Sequence, residues 1–198
     1  MSNIISKAYG ALDEAIMKGV NSGVRAYNWT TGRTKADLAN KLLTIAPIAE
    51  STGFIGMSYN NPFTLGLSIF MSGIYILLSH TQQETNKKME VAEQRALENS
   101  CLDFIVENWK NSAAFLGPMW SIVGSFIGYT EMRRSDGLSS TNYLIAGGNL
   151  VRGASFYVMR ADYFPPRKSA VKKGLEKLAE IAENYKAPTF QPAPVPAG

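Results

Sequence analysis

Two ionisable side chains stand where the surrounding sequence is too apolar to tolerate an unpaired charge. Glu50 is the only charged residue from Leu42 to Tyr59, and Arg152 the only one from Leu138 to Met159. Inside a membrane-spanning helix a charge costs on the order of 3 kcal/mol or more, so such residues pair, line a polar cavity or carry an ion or proton. At 1.5 Å per residue both lie about 11 to 12 Å from the same end of their helices, which lets them meet at one depth. Two chemistries follow. One is a buried structural pair, or an Arg152 that snorkels to headgroups. The other is a proton or ion path with Glu50 as the titrating group and Asn142 and Asn149 as polar lining. His80, at the end of an apolar run, completes the candidate intramembrane polar site of Glu50, Arg152, Asn142, Asn149 and His80.

Other chemistries lack their residues. Cys101 is the only cysteine and His80 the only histidine, so no zinc-type ligand set exists and neither a metal nor a cofactor is expected. The chain has no Gly-x-Ser-x-Gly elbow, phosphate-binding glycine loop or His-Glu-x-x-His helix, and no catalytic residue is assigned. Ala146-Gly147-Gly148-Asn149 lies within an apolar run without the strand and spacing of a dinucleotide fingerprint. The sequence points away from an enzyme.

Small residues recur at helical spacing in two places. Gly117, Ser121, Gly124 and Gly128 share one helix face, as do Ala46, Ala49, Gly53 and Gly56. Such seams let backbones approach closely, which is what associates helices where lipid supplies no hydrophobic drive. Spacing alone does not say whether they face within one chain or between subunits.

The elements that must position these residues form an all-α helical membrane bundle of four transmembrane helices, with amphipathic helices at either end. From Ser51 to Gln83 the 198-residue chain has no Asp, Glu, Lys or Arg. Pro62 to Ser79 and Asn111 to Thr130 read as spans, since a span needs roughly 20 mostly apolar residues. Leu42 to Tyr59, interrupted by Pro47, and Leu138 to Met159 complete the four. A mean hydropathy of -0.08 is low for such a protein. It fits a membrane part diluted by polar helices, and it keeps open a soluble or switchable pore-forming-like domain.

Five segments result. Residues 1–33 form an amphipathic helix over Ile4 to Val24, with Ile5, Ala8, Leu12, Ile16, Gly19 and Val20 on one face, followed by an interfacial loop carrying Tyr27 and Trp29. Residues 34–80 form the first transmembrane hairpin, begun by a Thr34 cap with Asp37 and turned at Asn60-Asn61-Pro62. Residues 81–110 form an extramembrane helix ending near Trp109, with a solvated Glu/Lys face and apolar stripes through Met89, Ala92 and Ala96 and through Leu97, Cys101, Phe104 and Ile105. Residues 111–164 form the second hairpin, with Phe156, Tyr157, Tyr163 and Phe164 as an interfacial belt. Residues 165–198 hold a basic amphipathic helix over Ser169 to Tyr185 and an extended Pro/Ala-rich tail.

The net charge of +4 sits near the termini, in no block long enough for nucleic acid, and suggests anionic lipid. The Lys/Arg distribution among the loops places both termini on the cytoplasmic side. The expected partners are the lipid bilayer and either further copies of the chain or a larger membrane complex. The expected role is assembly, as scaffold, accessory subunit or homo-oligomer; the alternative is a transporter or channel component using Glu50 and Arg152.

Overall fold

The computed structural model describes residues 2–58, 60–96, 103–132 and 140–184. They form six helices and, among the described residues, no strand: α1 (Ser2–Thr31), α2 (Lys35–Ser58), α3 (Pro62–Ala96), α4 (Asp103–Met132), α5 (Ser140–Arg160) and α6 (Ala170–Asn184).

Local chemistry sets the boundaries. Gly32 adopts a φ of 75° and donates its N–H to the Asn28 carbonyl, a left-handed cap that suits glycine. The Thr34 hydroxyl accepts the Asp37 N–H at 3.5 Å, and α2 starts beside it as the sequence predicts. Asn61 caps α3 through bonds to the N–H groups of Phe63 and Thr64. Helix α1, however, runs on to Thr31, so most of the expected loop with Tyr27 and Trp29 is helical. The hydroxyls of Thr30 and Thr31 bond back to the carbonyls of Ala26 and Tyr27, and the helix stops only where Gly32 permits a positive φ.

Helices α2 to α5 run alternately up and down and close into a square: α2 packs on α3 and α5, and α4 packs on α5 and α3. Helix α3 continues the second apolar run into the polar segment and ends by Ala96, while Asp103 to Trp109 belong to α4. The expected single helix up to Trp109 is thus two. The reversal returns Lys110 to an ion pair with Glu93 and sets Trp109 6.5 Å from the Phe156 ring. Phe156 is buried there and takes no place in a lipid-facing belt.

Helix α1 lies against the α5 end and α2 start, where Val24, Ala36, Ala39, Val158, Met159 and Ala161 form a contiguous apolar core. Its docked face keeps Val20, packed on that core, and the half-buried Ile16 of the expected row, but extends round to Asp13. Asp13 holds Arg160 in a two-point ion pair while Leu12 stays 60% exposed. The side chains of Ile5 and Ala8 lie outside the described residues, as do Leu97, Cys101, Leu138 and the tail. Helix α6 touches α1 and is otherwise exposed.

Among the described residues one helix, α3, is long and apolar enough by length and composition to cross a membrane.

Candidate functional site: a polar interior around one ion pair

The two seams of small residues build the site by letting α5 approach both neighbours. A Cβ on Gly124 would stand 2.7 Å from the Ala146 carbonyl oxygen, and one on Gly117 would stand 3.2 Å from the Tyr157 ring. Ser121 lies against Gly153, and Gly128 faces Ala146. On the other side Gly53 meets Ile145 and Thr141, Gly56 meets Thr141, and Ala46 meets Gly148. Ala49, in the same row, is half-buried. Both seams therefore pack within the chain, against α5. Gly148 adds what the sequence did not show: a Cβ there would run into the Glu50 side chain and the Ala46 carbonyl.

With α5 this close, Arg152 reaches Glu50 in a bidentate pair. Its Nε lies 3.1 Å from Oε1 and its Nη2 2.5 Å from Oε2, with exposures of 1% and 0%. A further Nη2 bond of 3.4 Å reaches the Tyr75 carbonyl across the bundle. The guanidinium also lies 5.1 Å from the Tyr75 ring and 5.2 Å from the Trp120 ring, which face each other edge-on. All four helices thus contribute to one charge-neutral centre, and cation–π attraction completes its contacts.

Asn142 and Asn149 are buried on α5 as expected. Asn149 donates to the Ile145 carbonyl one turn back, and its Oδ1 has no partner among the described residues. His80 is exposed and does not join the site. The sequence reading missed what fills the rest of the interior. Residues Ser68, Ser72, Tyr75, Ser79, Gln82, Asn86, Met89 and Glu93 alternate in steps of four and three along α3, and all are buried or half-buried. Gln82 donates to Ser155 and Asn86 to Asn40. The missed signal is a mostly polar heptad row that begins inside the apolar run and continues through the polar segment.

A second cluster closes the bundle at one end, about 20 Å along the helices from the ion pair. The fully buried Lys35 ammonium contacts Glu93 at 2.7 Å and the Ala161 carbonyl at 2.5 Å, and Lys110 reaches Glu93 at 2.9 Å. Starts of α2 and α4 meet ends of α3 and α5 here. Burial holds the Lys35 pKa below the usual lysine value, and Glu93 opposes that shift. Glu93, expected on a solvated face, is therefore an interior residue.

The exterior has the opposite character. Ile45, Ile48 and Ile55 on α2, Phe63, Leu67, Ile69, Phe70, Ile76 and Leu77 on α3, Phe115, Ile122 and Phe126 on α4, and Leu150 on α5 are each more than 40% exposed. The described residues contain no group of three or more metal-ligating side chains. Comparison with known protein families, with characterised proteins and with solved structures yields no match.

Proposed function

We propose that the chain is an integral membrane protein of four spans, α2 to α5, with both termini on the cytoplasmic side, acting by assembly as a scaffold or accessory subunit. The observation behind it is the inverted polarity of the bundle. Large apolar side chains face outward along α2, α3 and α4, with Leu150 on α5, while an ion pair, serines and amides share the interior with Leu43 and Ile145. Water would favour the reverse, since burying apolar area is worth about 25 cal/mol per Å² and burying polar groups costs free energy. A contiguous apolar core is found where α1 meets the ends of α2 and α5, beyond this belt.

Mean hydropathy underrates α4 and α5 because their glycines and serines, which serve packing, lower it. The belt covers roughly 15 to 21 Å of α2, α3 and α4, and the deficit against the 30 Å hydrocarbon is taken up by local bilayer thinning and snorkelling. Since both seams are occupied within the chain, assembly falls to the outer helices. Val171, Leu175, Leu178 and Ile181 of α6 are each more than half exposed in one row.

The test is fractionation of expressed protein with carbonate washing, followed by protease access to tags at both ends. Retention with both tags cytoplasmic is expected, and release into the soluble fraction would refute the span assignment.

One observation favours transport as a second reading. Ser72 Oγ, Ser79 Oγ and Asn149 Oδ1, each within about a helical turn of Tyr75 or Arg152, are buried without hydrogen-bond partners among the described residues. Such atoms suit a hydrated path. Proteoliposome flux that is equal for wild type and a folded Glu50→Gln variant would eliminate it.

A further inference from the structure

Three of the six arginines with described side chains are matched to carboxylates: Arg33 to Asp37, Arg152 to Glu50 and Arg160 to Asp13. Arg25 and Arg167 have no ion pair among the described residues, and both line one recess between α1 and the link joining α5 to α6. The recess has a volume of about 530 Å³ and is also lined by Ser22, Asn28, Trp29 and Phe164, with no carboxylate in its wall.

The Arg25 side chain and the Arg167 backbone are each held by a contact with a neighbouring segment. The Arg25 guanidinium lies 5.4 Å from the Phe164 ring centre, which leaves its N–H edge available. Arg167 is fixed through its backbone: its N–H donates to the Gly32 carbonyl at 3.0 Å, and its own carbonyl fills the space a Cβ on Gly32 would need. The buried Asn28 amide anchors the same link, donating to the carbonyls of Pro165 and Arg33 at 3.0 Å each. That uses both Asn28 amide hydrogens, and the Ser22 hydroxyl donates to Lys18. Among the described residues, the side-chain donors of this lining without a hydrogen bond are the Arg25 and Arg167 guanidinium groups and the Trp29 indole N–H.

Two unpaired planar forks on a pinned backbone suit a tetrahedral dianion, which each can grip through paired hydrogen bonds. Phosphate alone would fill a small part of a volume typical of small-molecule sites. Trp29, 58% exposed, and Phe164 offer apolar surface for the group that carries it. We propose that this recess binds a phosphate ester, its phosphate between Arg25 and Arg167 and its organic part against Trp29 and Phe164. The ester is a soluble metabolite or a lipid headgroup, and the site does not depend on the span assignment.

Glycerol 3-phosphate and phosphatidate present the same phosphate without and with acyl chains. Purified full-length chain is titrated calorimetrically with glycerol 3-phosphate, and its retention of phosphatidate over phosphatidylcholine from mixed micelles is read by native mass spectrometry. Wild type binds saturably. An Arg25→Gln/Arg167→Gln double variant, changed only at exposed positions, melts like wild type and binds roughly tenfold or more weakly. Arg95→Gln, which alters an exposed arginine outside the recess, leaves binding unchanged. Comparable binding of both probes supports a soluble ester; preferential retention of phosphatidate supports a headgroup. Absence of saturable binding to wild type, or equal binding by the double variant, overturns the proposal.

Discussion

Without the Glu50 carboxylate, Arg152 would keep one long bond to the Tyr75 carbonyl and two aromatic rings in a site that is 1% exposed. Truncating one member of a buried pair typically costs about 3 to 5 kcal/mol, because the other charge stays desolvated. Glu50→Ala and Arg152→Ala should each lower the melting temperature in detergent sharply, and Glu50→Leu/Arg152→Met should recover most of the loss. Single variants that melt with the wild type would show that the pair does not hold the bundle. Gly147 and Gly148 give a matched comparison one residue apart. Nothing stands within 4 Å of a Cβ on Gly147, whereas one on Gly148 meets the Glu50 side chain and the Ala46 carbonyl. Gly147→Ala should be neutral or stabilise by up to about 1 kcal/mol through helix propensity. Gly148→Ala should destabilise by about 1 to 3 kcal/mol through overpacking. Equal melting of the two would contradict the close α2–α5 contact.

At the scale of elements, α1 is held on α5 by polar anchors that water and pH can reach. The Arg160 guanidinium lies 2.8 Å from both Asp13 carboxylate oxygens and holds the carboxyl below its ordinary value of 3.8. An undocked Asp13 therefore binds protons more readily than a docked one. Its contribution is present above pH 3.8 and is lost as pH falls through the lower docked value. Amide exchange in α1 should speed up as wild type is acidified through that range, while Asp13→Asn should exchange faster already at pH above it. Identical profiles would remove the anchor. Helix α1 also shows the limit of what sequence displays. Its amphipathic character and the inward Ile16 and Val20 were legible, but the anchor was not, because Asp13 and Arg160 are widely separated in the chain and each reads as an ordinary solvated charge. Glu50 and Arg152 were legible because each interrupts an apolar run. Lys35 and Glu93 interrupt nothing and gave no such sign. The small-residue seams could be read directly, but their common partner α5 required the fold. On α3 the apolar residues drew attention to the outward face, while the polar heptad row marked the face that packs.

For the whole molecule the question is which solvent the belt was selected against. Phe70 on α3 and Phe126 on α4 are each 65% exposed, and neither supports another side chain in the interior row. In water, exchanging such a surface residue for arginine typically changes stability by within about 0.5 kcal/mol and improves solubility. In a bilayer, arginine near the centre of a span costs roughly 2.5 to 3.5 kcal/mol on insertion scales. Together Phe70→Arg, near the middle of its span, and Phe126→Arg, nearer the end of its span and at lower cost, place a charge in each hairpin. The double variant should lose most of its carbonate-resistant membrane fraction, whereas Lys87→Glu and Lys88→Glu on the polar part of α3 should not. Wild-type retention of the double variant, or its recovery in soluble form without detergent at the wild-type melting temperature, would mean that the belt meets water. The polar interior would then belong to a soluble four-helix bundle carrying an exposed apolar docking surface.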